Sequence, residues 1–339
     1  MHAKNRRGKQ SFLLPNTPVI TAWASVAGKK EADGPLSKYF DATYQDTYFG
    51  QNTWEQAEKK MQQLAIEKLL AKCAMDKSQI GTVFSGDLLN QCIGSSFCLN
   101  NTGIPHVGLY GACSTMAESL MMAGMAVDGG YSDNVIAMTS SHFASSERQY
   151  RFPLGYGGQR TPTAQWTVTG SGAAMVCASG SGPMITGCTM GTVTELGVKD
   201  ANNMGAAMAP AAYDTIRAHF DDFGLAAEDY DLIVTGDLGQ TGKELLLELA
   251  RQDGVALGGR LTDCGTLIFD AEYQDVHAGG SGCGCSAVTL CGYLLSKMQS
   301  GKYKRILFCG TGALLSPTST QQGLPIPGTC HAVSIVGGM

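Results

Sequence analysis

Cys113 stands in "LYGACSTMAESLMMAGMAVDGG" (109–130), after a Gly-Ala step and ahead of a run with helical periodicity. A thiol at a helix start faces unpaired backbone N–H groups and the positive end of the helix dipole, which favours the thiolate. The same donors favour a bound carboxylate. Three outcomes are open at this position: acyl transfer through a thioester, anion binding without turnover, and an inert buried thiol.

A catalytic cysteine needs a base and an oxyanion hole. The chain has six histidines. His2 lies in the N-terminal tail, His106 starts a strand, and His219 is expected on the polar side of an outer helix. His142 ends a strand, His277 precedes a glycine-started helix in "DVHAGGSG", and His331 starts the last strand in "GTCHAVSIV". Strand ends facing helix starts are where α/β proteins gather ligand groups, so any of these three is a candidate neighbour of Cys113. A hydrogen-bonded structural role is the alternative for each.

The elements that must position these residues can be read from periodicity. "PVITAWASVAG" (18–28) is an opening buried strand. Trp54, Ala57, Met61, Leu64 and Ala65 recur at helical spacing behind Thr53, a suitable N-cap. "IGTVFSGDLLNQ" (80–91), "IPHVGLY" (104–110), "DNVIAMTSSH" (133–142) and "SGAAMVCAS" (171–179) read as further strands. The second half repeats the plan. The helix and strand in 211–240 end Thr-Gly-Asp-Leu where 85–88 reads Ser-Gly-Asp-Leu, and 282–311 parallels 111–140 without a gap. The expected fold is α/β, two duplicated halves (1–180 and 181–339) forming a layered αβαβα arrangement, with central helices between sheets and no independent domains.

Composition narrows the function. A formal charge of −5 over 339 residues argues against general nucleic-acid binding. The twelve cysteines form no C-x-x-C pair and match no common zinc spacing, so they read as buried reduced thiols. No signal peptide and no apolar run long enough to span a membrane is legible.

Beyond these patterns, "GPLSKYFD", "SGDLLNQ", "GACSTMAESL", "TSSHFASSERQYRFPLGYGGQRTPTAQWTVTGSGA", "MGAAMAPAAYDTI", "HAGGSGCGCSAV" and "TGALLSPTSTQQ" resemble the thiolase and β-ketoacyl synthase superfamily. Within it they are most similar to the stage V sporulation protein AD family of endospore formers, from about residue 10 to the C-terminus. The resemblance implies a thiolase-like fold that binds dipicolinic acid, or its calcium chelate, for uptake into the developing endospore. It also implies membrane proteins of the same operon as partners and a peripheral place at the forespore or inner spore membrane. A homodimer paired through the strand at 133–140 is expected too. No cofactor and no protein metal site is expected.

Condensing enzymes of the ketoacyl synthase III type carry a catalytic histidine after the strand corresponding to 231–236. Here "GDLGQTGK" offers Asp237 and Gln240 instead. Their catalytic asparagine falls near "HAGGS", where His277 or Ala278 stands. A non-catalytic site is therefore expected. The alternative is an acyltransferase or condensing enzyme with Cys113 as nucleophile and His277 or His331 as substitute base. A scaffold that only organises membrane partners is a third reading.

A planar pyridine dicarboxylate needs donors for two carboxylates and an apolar slot for the ring. "SSERQYRFPLGYGGQRTP" (145–162) supplies Arg148, Arg151 and Arg160 with Tyr150, Phe152 and Tyr156 interleaved. The expected binding set is Cys113, Ser140, Ser141, His142, these arginines, Asp237, Gln240 and His277. Local ion pairs or backbone satisfaction are the alternatives for the arginines and serines. Asp87 and Asp237 are matched strand-end acids, expected to cap a turn or helix.

Overall fold

The structure is a computed structural model that describes residues 4–150 and 159–338. Ten strands build its two halves. The first half holds β1 (Val19–Ala27), β2 (Thr82–Gly86), β3 (His106–Gly108), β4 (Asn134–Ser141) and β5 (Gly170–Cys177). The second holds β6 (Met184–Thr189), β7 (Leu232–Thr235), β8 (Leu261–Asp263), β9 (Arg305–Ala313) and β10 (Gly328–Val336). Their spatial orders, β3-β2-β4-β5-β1 and β8-β7-β9-β10-β6, are the same order displaced by five. The directions match as well. β2 runs parallel to β3 and β4, as β7 does to β8 and β9, while β5 and β10 run antiparallel to both neighbours. One residue pair, Met184 with Val19, joins the halves across the β6–β1 seam.

Helices form the remaining layers. Helix α1 (Trp54–Cys73) starts where the Thr53 side chain accepts from the Gln56 N–H, and buries Ala57, Met61, Ala65 and Leu69 on β1 and β5. Helix α2 (Thr115–Asp128) lies between the sheets, touching β2 and β4 of its own half and β9 and β10 of the other. It is apolar on most of its circumference, as a helix without a solvent face must be. Helix α3 (Phe143–Tyr150) follows β4. Helices α4 (Met204–Phe223) and α5 (Gly239–Gln252) pack together, with α4 on β9 and β10. Helix α6 (Cys283–Val288) continues through a π turn to Gln299 and packs on β4, β5 and α2.

Glycine permits the close central packing. A Cβ on Gly172 would overlap the Ala287 carbonyl of α6, and one on Gly310 would overlap the Ala117 side chain of α2. All twelve cysteines are free, and all except Cys73 are buried.

Two expectations need correction. His219 is not on a polar face. It is fully buried, with Nδ1 2.7 Å from Thr189 Oγ1 and Nε2 2.6 Å from Tyr230 Oη. Burial drives its pKa down to about 3, so it is neutral. The strand at 133–140 is also wrong as a dimer edge. β4 is hydrogen-bonded on both sides, by β2 and by β5, and has no edge to offer a second copy.

Candidate functional site

Cys113 lies in a tight turn, Ala112–Ser114, that leads into α2. Ala112 adopts φ +52°, uncommon for a residue with a side chain, and the turn is pinned by hydrogen bonds. Ser114 Oγ lies 2.7 Å from Gly111 O and 2.6 Å from Glu118 Oε1, two acceptors for its one proton, and Thr115 Oγ1 donates to Ala112 O at 2.7 Å. The geometry turns the thiol inward, against Leu88 and Cys283. Only 6% of Cys113 is exposed.

Asp237 closes the site from the second half. It follows β7, and its carboxylate accepts from Gly282 N at 2.8 Å, Ser281 Oγ at 3.2 Å and Thr311 Oγ1 at 2.9 Å. The Gly282 amide at the start of α6 is thus occupied by the protein's own acid. Burial pushes the Asp237 carboxyl up to about 7. Burial, with the neighbouring Asp237 and Cys283 adding to it, pushes the Cys113 thiol well above its ordinary value. The expected thiolate is therefore not favoured. Desolvation and a facing acid outweigh the helix-start donors, and the proton stays on sulfur.

A cavity of about 40 Å³ adjoins the thiol. Its walls include Leu88, Tyr150, Met204 and Leu315, with Ser146, Glu147, Thr167 and Ser281 as polar points. Thr167 Oγ1 donates to Glu147 Oε1 at 3.0 Å. Ser146 Oγ is buried and has no hydrogen-bond partner among the described residues. Tyr150 Oη donates to Leu88 O at 2.6 Å and pairs with the Tyr110 hydroxyl. No lysine, arginine or histidine is among the described lining residues.

Below the cavity runs a buried polar chain. Glu58 accepts from Ser140 Oγ at 2.9 Å and Ser145 Oγ at 2.8 Å. Gln62 Nε2 donates to Ser140 Oγ at 2.6 Å and to Ser95 Oγ at 3.2 Å. Ser95 donates to Asp87 through both its N–H and its hydroxyl, each at 2.8 Å, and Leu89 N adds a bond at 3.0 Å. Asp87 is thus the turn-capping acid expected. Burial, with the Asp87 charge adding to it, raises Glu58 to about 8.

The remaining expected site residues disperse. Ser140 serves the polar chain, and Ser141 donates to Val168 O and accepts from Gly284 N. His142 is buried with Nε2 2.8 Å from Thr47 O, while Ala144 N donates to its Nδ1. Arg148 pairs with Glu55, Arg160 with Asp275 at 2.9 Å, and Gln240 with Glu244. Arg151, like Phe152 and Tyr156, lies outside the described residues. His277 Nε2 lies 3.0 Å from Asp275, and His331 Nε2 lies 3.4 Å from Glu118. Neither histidine lines the cavity. Of the expected set, Cys113 lines the cavity and Asp237 stands directly behind it.

Reading the sequence missed Ser146, Glu147, Thr167 and Ser281. A signal was present: in "SSERQY", helical spacing puts Ser146, Glu147 and Tyr150 on one face and Arg148 on another. The arginines drew the reading to the wrong face.

A family model described as "Stage V sporulation protein AD" matches residues 8–336. The chain is 42% identical over 326 residues to stage V sporulation protein AD of Bacillus subtilis (strain 168), covering 96% of each sequence. Among solved structures it is similar to 3-oxoacyl-[acyl-carrier-protein] synthase III from Aquifex aeolicus VF5, with TM-score 0.55 and 14% identity over 94% of this chain and 99% of that one. An OleA variant of Xanthomonas campestris gives TM-score 0.60 and 13% identity, covering 94% and 98%. At these identities the structural likeness establishes the thiolase-like fold.

Proposed function

Because the chain belongs to the stage V sporulation protein AD family, and so to sporulation, we propose that it is a non-catalytic thiolase-like protein that binds dipicolinic acid or its calcium chelate for uptake into the developing endospore. The observation that carries the non-catalytic part is the pairing of a protonated Cys113 with Asp237, with no histidine among the described residues lining the cavity. A condensing enzyme needs a thiolate and a base to regenerate it. Here the facing group is Asp237, whose oxygens already accept from Ser281, Gly282 and Thr311.

The cavity supplies what a small planar ligand uses: apolar walls and the Ser146 hydroxyl, which has no partner among the described residues. The volume beside the thiol holds about three waters. A pyridine dicarboxylate is larger, so binding requires the Tyr150 wall to move outward. Peripheral placement at the forespore membrane, with membrane proteins of the same operon as partners, belongs to this reading. So does a homodimer, for which the sheet edge at β3, beside exposed Phe97 and Val107, offers a strand, as does the opposite edge at β8.

Calorimetric titration with dipicolinate, with and without calcium, tests the proposal. Saturable binding of at least one form, weakened by Cys113→Trp, is expected. No heat with either form at millimolar ligand overturns it.

A further inference from the structure

A second cleft, of about 500 Å³, lies on the other side of the α3 start from the Cys113 cavity. Strand alternation separates the two: Thr167 faces the cavity, and the adjacent Trp166 faces the cleft. Two of the chain's three tryptophans line it, each backed by a second ring. Trp166 stacks on Phe143 with centroids 4.1 Å apart and planes 13° apart, and Trp54 on Tyr48 at 6.0 Å and 25°.

Cations gather on these rings. Lys30 Nζ is 4.1 Å from the Trp166 centroid, and the Arg160 guanidinium carbon is 4.8 Å from it. Arg148 lies 5.3 Å from the Trp54 ring. Glu55 and Asp275 neutralise Arg148 and Arg160, and Asp275 also takes His277. Asp33 and the buried Glu31 complete the facing acids. Glu31 is held protonated to about pH 7 by burial, so it does not cancel Lys30 in weakly acidic solution. Arg160 Nη1 is buried and lacks a hydrogen-bond partner among the described residues. Burial lowers the pKa of Lys30, and the Asp275 charge counters this more than Arg160 adds to it.

We propose that this cleft binds a planar aromatic carboxylate, its ring beside the tryptophans and its carboxylate on Lys30. The volume falls in the range of small-molecule sites, and a cation beside stacked rings selects for both features of the ligand. The proposal stands independently of what the Cys113 cavity holds.

Intrinsic tryptophan fluorescence of the full chain, titrated with benzoate, benzene-1,3-dicarboxylate and pyridine-2,6-dicarboxylate, tests it. Saturable quenching is expected. Lys30→Gln should weaken it about tenfold, and cyclohexanecarboxylate and benzyl alcohol should each bind less well than benzoate. Cys113→Phe should leave the benzoate response intact. Absence of saturable quenching, equal response in Lys30→Gln, or loss of the response in Cys113→Phe overturns the proposal. The last outcome would assign the signal to the first cavity.

Discussion

The Cys113 thiol and the Asp237 carboxyl face each other across the two halves, and each holds its proton more tightly than in water. Alkylation by iodoacetamide at pH 8 should therefore be slower at Cys113 than at partly exposed Cys73. Asp237→Asn removes the facing charge and should speed Cys113 alkylation several-fold, with about 1–3 kcal/mol of stability lost from altered acceptors. Peptide mass mapping reads both rates. Incubation with acyl-thioesters should add no mass to Cys113 in the unaltered protein. A stable acyl adduct there would favour the condensing-enzyme reading.

Ser146 separates ligand binding from folding. Its hydroxyl has no partner among the described residues, so Ser146→Ala should leave the melting temperature nearly unchanged. The same change should weaken dipicolinate binding by about 0.5–1.5 kcal/mol, or roughly two- to tenfold. Equal affinity in the variant would remove Ser146 from the binding site.

Glu58 should make stability depend on pH. Its folded pKa, about 8, lies above the ordinary carboxyl value of 4.5. The stabilisation from holding this proton is fully present below about pH 4.5 and is lost as pH rises through 8. Glu58→Gln keeps a neutral side chain of the same length. The difference in denaturation midpoint between pH 5.5 and pH 8.5 should shrink in this variant.

Gly172 tests the central packing. An added methyl would overlap the Ala287 carbonyl oxygen, which is backbone and has little room to yield. Gly172→Ala should cost about 1–3 kcal/mol or more, read as a lower thermal midpoint. Gly301→Ala is a poor control because its φ is +75°. Gly259→Ala, in open space, should be close to neutral.

The elements were legible wherever local pattern and long-range burial agree. Thr53 and the apolar spacing behind it place α1, and the two Gly-Asp strand ends mark equivalent corners of the two halves. His219 was misread because one helix turn reports its own polarity but not what covers it. Arg148 and Arg160 were assigned to the cavity by type, yet they lie on the rings of the second cleft.

By itself the sequence determined the layered, duplicated fold and the inward cysteine, since hydrophobic periodicity, glycine placement and repeated strand ends are local records of what must be buried. The tertiary structure alone decided the protonation of Cys113. That depends on Asp237, 124 positions away by numbering (237 − 113), and on loss of water around both groups. Desolvation is a property of the packed assembly, so no spacing along the chain encodes it.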